Sequence, residues 1–158
     1  MIRLLTPIFT LLTIVSCTQP STLSGNEKAT IIAEATRTLQ KYYADIKETG
    51  LNAEFNYLDQ SADFFWVPPG YSAAISYDSV AAVLRQNAPN YLSINNAFDT
   101  LKIIPLSKEL ASYTGRLHST MIDTAGIATT FSLVETGLLI KRKDGWKLLH
   151  GQTSLVNQ

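Results

Sequence analysis

Between residues 27 and 48 apolar side chains return at helical spacing. Ile31, Ala35, Leu39, Tyr42 and Ile46 fall on one stripe, which Ile32 and Tyr43 widen. The pattern predicts a long amphipathic helix from Glu27 to about Glu48, with Asn26 as its N-cap and Gly50 as its stop. A second short helix is expected at 52–59. "DFFWVPPGY" (63–71) has the composition of a strand ended by Pro68-Pro69-Gly70, and a short strand at 72–75 follows. A helix at 77–88 would start on Ser76, carry Asp78 in its first turn and stop at Pro89. Beyond Asn90 the period changes to two. Long strands are predicted at 91–106, 110–123, 128–143 and 146–156, joined by "PLSKE", "DTAG" and "KDG", which hold the residues hairpins need. Helices first and an antiparallel meander afterwards make an α+β domain: a strongly curved, mostly antiparallel sheet wrapped around the long N-terminal helix.

Strand parity then decides which side chains face that helix. In "DGWKLLHGQTSL" (144–155) Lys147 must reach water, which turns the even positions inward: Trp146, Leu148, His150, Gln152 and Ser154. His150 is therefore a candidate general base or ligand donor, or else a histidine satisfied by backbone or a buried water. Two mid-strand carboxylates are candidate partners. Glu135 shares parity with Phe131, Leu133 and Leu139, and Asp99 with Ala97, Leu101 and Ile103. Facing a cavity, either would have a raised pKa suited to acid–base work; facing water, neither would act, and that is the expected place of Asp99. His118 falls opposite Tyr113, Leu117 and Met121, on the outer face. The two histidines lack metal-ligand spacing, so no metal site is expected. Among the aromatic residues, Tyr43 and Trp66 are the candidate lining residues; Tyr42, Phe64, Phe65, Tyr71 and Tyr91 are counted as packing.

Composition narrows the function classes. With 158 residues there is room for one domain once the N-terminus is set aside, and 46% hydrophobic residues suffice for a core. The 13 basic and 13 acidic residues balance, which argues against nucleic acid as a partner. Lys141, Arg142, Lys143 and Lys147 flank a turn and are expected to be a solvated rim. No GxSxG, P-loop or GxGxxG motif occurs, and no cofactor is expected. The N-terminus has its own pattern. Met1-Ile2-Arg3 and an apolar run from Leu4 to Val15 have the layout of an export signal, too short to span a membrane as a helix. "IVSC" (14–17) resembles a lipobox, which makes 1–17 a lipoprotein signal, Cys17 the lipidated residue, and 18–26 ("TQPSTLSGN") a flexible tether to a domain at 27–158. The expected location is the cell envelope, with the lipid as the only membrane contact.

The element order, Tyr42-Tyr43, "DFFWVPPG", "YDSVAAVL", "DTLKIIPLS" and the closing "DGWKLLHGQTS" together resemble the nuclear-transport-factor-2-like family. Its bacterial branch includes small polyketide cyclases and ketosteroid isomerases. The resemblance implies a cone enclosing a pocket, a small-molecule ligand, and compatibility with a homodimer. The family's closing strand tends to end in an HxHxS-like pattern; Gln152 stands at the second histidine position and removes a titrating group. The first expectation is accordingly a ligand-binding envelope protein using Tyr43, Trp66, His150, Gln152 and Ser154 around a cavity of several hundred Å³, the usual order for a ligand pocket. The alternatives are a cofactor-free isomerase, dehydratase or cyclase using His150 with Glu135 or Asp99, and an interaction module using the outer sheet face.

Overall fold

The computed structural model describes residues 22–156. The signal, the lipobox cysteine and residues 18–21 of the expected tether lie outside these residues. Helix α1 (Gly25–Thr49) begins two residues earlier than its stripe predicts, because Ser24 rather than Asn26 caps it. Ser24 accepts from the Glu27 amide while the Glu27 carboxylate accepts from the Ser24 amide, a reciprocal capping box. The helix ends at Gly50, as expected. It buries Ile31, Ala35, Leu39, Tyr42, Tyr43 and Ile46, whereas Ile32 remains exposed, so the apolar stripe is narrower than the sequence suggested.

A 3₁₀ turn (Leu51–Asn56) stands where a short helix was expected. Strands β1 (Phe65–Val67) and β2 (Ile75–Ser76) are shorter than predicted, and helix α2 (Tyr77–Asn87) is capped by the Ser76 hydroxyl. The four long strands follow: β3 (Tyr91–Pro105), β4 (Leu110–Asp123), β5 (Ala128–Arg142) and β6 (Gly145–Leu155). They form one curved sheet in the order β2-β1-β6-β5-β4-β3, not closed into a barrel. β1 runs parallel to β6 and the other pairings are antiparallel. The fold is therefore α+β with a mixed sheet, and α1 packs along its inner face.

Two of the three register irregularities in that sheet reset parity at candidate residues. In β5–β6 pairing, Leu138 faces His150 but Leu139 faces Leu148, so Leu149 is an extra residue on β6. A bulge of this kind turns every later side chain to the opposite face. Trp146 and Leu148 point inward, as expected. Past the bulge it is Thr153 that is buried, while Gln152 and Ser154 are exposed. The second irregularity falls between Phe98 and Thr100 on β3, at Asp99. Ile94, Asn96 and Phe98 face inward before it, and Leu101 and Ile103 after it. Asp99 itself lies outside.

The turn bearing Glu54 is fastened to the sheet at its far end. The Arg142 guanidinium donates to both carboxylate oxygens of the buried Asp59 at 2.8 Å each. Backbone bonds join Leu148 to Tyr57 and Asp59. Lys141 bonds Glu34 of α1, and Lys147 donates to the Asn56 carbonyl of the 3₁₀ turn at 2.6 Å. These cations thus clamp α1 and the turn region to the β5–β6 end, more than a solvated rim would.

Candidate functional site

α1 and α2 and the inner faces of all the strands except β2 contribute to one pocket of about 180 Å³. Its walls are mostly apolar: Leu58, Trp66, Val80, Leu117, Leu133 and Leu148 among them. Into it face two carboxyls from distant parts of the chain, Glu54 and Glu135. The wider groove of about 540 Å³, between the C-terminal ends of α1 and α2 and the start of β3, is edged by exposed Lys47, Glu48 and Arg85 and gathers no comparable set of groups.

Glu135 is only 4% exposed and accepts three side-chain hydrogen bonds. The Tyr113 hydroxyl donates to Oε1 at 2.8 Å, and the Tyr43 hydroxyl and Thr153 hydroxyl donate to Oε2 at 2.9 and 3.1 Å. Trp66 Nε1 donates to the same Thr153 oxygen at 3.1 Å, extending the chain to β1. Burial raises the Glu135 pKa above the usual carboxylate value, against the three donors, which pull it down. Glu54, partly buried, accepts from the Tyr42 hydroxyl at 2.9 Å. Desolvation, reinforced by the charge on Glu135, lifts Glu54 to about 7 despite that bond. Burial also pushes the phenols of Tyr42, Tyr43 and Tyr113 well above their ordinary range, so they stay protonated donors. Adjacent helical residues diverge by about 100°. The Tyr42-Tyr43 pair uses this divergence to serve one carboxyl each.

Two glycines make that arrangement sterically possible. A Cβ on Gly137 would stand 2.7 Å from the Tyr113 ring, and one on Gly151 would stand 2.3 Å from the Trp66 ring. Each ring lies against a neighbouring strand only because that strand has no side chain there. Their hydroxyl and indole N–H are thereby aimed at the Glu135 network.

The structure separates the sequence candidates. Glu135, Tyr43 and Trp66 come together at the pocket. His150 lies on the outer face, stacked on Phe65 with ring centroids 4.1 Å apart, and Gln152 and Ser154 share that face. Leu149 is the reason: an extra residue turned the polar end of β6 away from the cavity. Asp99 is on the outer face as well, where His118 Nδ1 lies 2.8 Å from its Oδ2 and Arg116 3.9 Å away. Tyr42 lines the pocket instead of merely packing. The pocket is also smaller than the several hundred Å³ expected, although an engineered cavity of about 150 Å³ suffices for benzene. Sequence reasoning missed Glu54, Thr153 and Asn96 as pocket residues. Glu54 sits in a 3₁₀ turn with no strand parity to betray it; its only signal was a carboxylate set between Ala53 and Phe55.

A SnoaL-like domain model matches residues 36–158. The chain belongs to the SnoaL-like domain family. Solved structures agree on the fold. A nuclear-transport-factor-2-like superfamily protein from Salmonella enterica serovar Typhimurium superposes with a TM-score of 0.70 at 15% identity, covering 82% of this chain and 94% of that one. A candidate scytalone dehydratase from Novosphingobium aromaticivorans gives 0.75 at 9% identity, covering 85% and 89%. A type 2 hexachlorocyclohexane dehydrochlorinase gives 0.67 at 12% identity, covering 85% and 90%. A search of curated proteins finds none that matches. At these identities the likeness shows the fold alone. In this SnoaL-like domain the pocket's chemistry rests on its own residues, Glu54 and Glu135 with their tyrosines.

Proposed function

We propose that this SnoaL-like domain binds a small, partly apolar molecule in the Glu54–Glu135 pocket and moves a proton on it without a cofactor. One observation carries this: two carboxyls from separate elements converge on a single apolar pocket, with Glu54 lifted to about 7. A carboxyl near its pKa at neutral pH is well matched to both taking and giving a proton. Glu54 would accept a proton from an activated C–H bond while the bonding electron pair enters the adjoining π system. Returning that proton to a different carbon completes an isomerisation. Alternatively the same proton passes from Glu54 to a β-hydroxyl, which leaves as water while the electron pair returns to form the new double bond, and Glu54 ends as the carboxylate it began as. The name of the candidate scytalone dehydratase denotes an elimination and supports this class.

The test is deuterium uptake from D₂O at carbon in cyclopent-2-enone and cyclohex-2-enone, followed by NMR with the full chain. Uptake above the buffer rate, reduced at least about tenfold in Glu54→Gln, is the expected result. Binding of these probes with no uptake would reduce the function to that of a carrier, the reading in which the pocket holds a ligand and performs no chemistry.

We also propose that the domain is exported and held at the cell envelope by lipid on Cys17. The "IVSC" pattern and the single cysteine support this, and no described helix is long and apolar enough to cross a membrane. Palmitate labelling that Cys17→Ala abolishes is the expected outcome; equal labelling of that variant would refute it.

A further inference from the structure

Among the described residues, two buried side-chain polar atoms have no hydrogen-bond partner: Asn96 Oδ1 and Ser119 Oγ. They are not scattered. Asn96 and Ser119 stand directly opposite each other in the β3–β4 register, both on the inner face. Asn96 forms part of the pocket wall, and Ser119, opposite it, is fully buried and does not itself line the pocket. Leaving two such atoms unpaired is costly, so the pair calls for a partner, whether water, ion or ligand.

We infer that Asn96, in the pocket wall, and Ser119, buried against it, form a hydroxyl-recognising corner at the edge of the pocket, so that the molecule it takes carries a hydroxyl group. The donor–acceptor inventory suits a small group that both donates and accepts. Asn96 Oδ1 only accepts, while the Ser119 hydroxyl can donate. A carbonyl oxygen would satisfy Ser119 and leave Asn96 Oδ1 orphaned; an ammonium would satisfy Oδ1 and bring a charge into an apolar pocket. A hydroxyl donates to one and accepts from the other. The pocket volume limits the remainder of the molecule to about one six-membered ring. This inference rests on the pocket proposed above, but not on the proton transfer.

The experiment compares phenol with toluene, which exchanges hydroxyl for methyl at nearly constant shape, by protein-observed NMR titration of the full chain. The expected result is phenol binding about tenfold more tightly than toluene, the worth of one well-made buried hydrogen bond. Asn96→Leu and Ser119→Ala should each bring the ratio close to one, while Asp99→Ala on the outer face leaves it in place. A ratio near one in the unaltered chain, or one that survives both Asn96→Leu and Ser119→Ala, would overturn the inference. A ratio lost only in Glu54→Gln would assign the hydroxyl to the carboxyls, overturning this corner but not the proton-transfer site. Failure of both probes to bind would remove the pocket and the inference together. Thermal melting supplies a second readout. Both variants should melt at or above the parent temperature, because each removes an orphaned group; a loss of several degrees in both would assign the two atoms to a structural water instead.

Discussion

Glu135 and Asp99 are both carboxylates in the middle of long strands, yet the sheet treats them oppositely. Glu135 stands on the inner face among Tyr43, Tyr113 and Thr153, and burial raises its pKa. Asp99 stands at a bulge on the outer face, with His118 and Arg116, in contact with water. The composition of a strand did not decide which carboxylate becomes chemically poised. Parity did, and parity was set by one extra residue here and none there.

Removing the inner carboxyl should have the largest effect. Glu135→Ala strands three buried or partly buried donors and is expected to cost about 3–4 kcal/mol in chemical denaturation. A loss below about 1 kcal/mol would mean that water replaces the carboxylate freely. The pH dependence comes next. Glu54 is lifted from 4.5 to about 7 in the folded state, so between those values the folded chain binds more protons than the unfolded chain. Stability is therefore highest below about pH 4.5 as far as this group is concerned, and falls by about 2–3 kcal/mol as pH rises to about 7. Denaturant melts from pH 5 to 8 should show the decline, and Glu54→Gln should flatten it. Gly151→Ala sharpens the inner side further. Its Cβ would collide with Trp66, at an expected cost of about 1–2 kcal/mol and with loss of the Trp66–Thr153 bond, visible as a change in indole fluorescence. Asp99→Ala completes the contrast, with an expected change under about 0.5 kcal/mol. A cost like that of Glu135→Ala would erase the distinction between the faces.

The sequence showed the elements whose physics is local. The α1 stripe, the Ser76 cap, the Gly50 stop and the four long strands all follow from period, caps and turn residues. Glu135 was legible for the same reason, since no bulge intervenes between it and Phe131, Leu133 and Leu139. His150 went astray, and the parity that Asp99 was read to share with Leu101 and Ile103 broke, for one shared cause, although the outer face was the expected place of Asp99. A β-bulge depends on the pairing of two strands, and nothing in "KLLHGQ" or "AFDTL" marks the residue that will be extra. Glu54 was hidden differently: its role arises only when a turn far from the strands folds back over Tyr42. The pairing of Asn96 with Ser119 likewise exists only in the register of two strands.

Proton transfer in this pocket depends most directly on the protonation of Glu54. Carboxyl ¹³C NMR of the glutamate-labelled chain, titrated from pH 3 to 9, should show a resonance with its midpoint near 7 that is missing in Glu54→Gln. If Glu54 titrates instead in the ordinary carboxylate range, near 4.5, the pocket holds no group poised for proton transfer at neutral pH and the central claim fails.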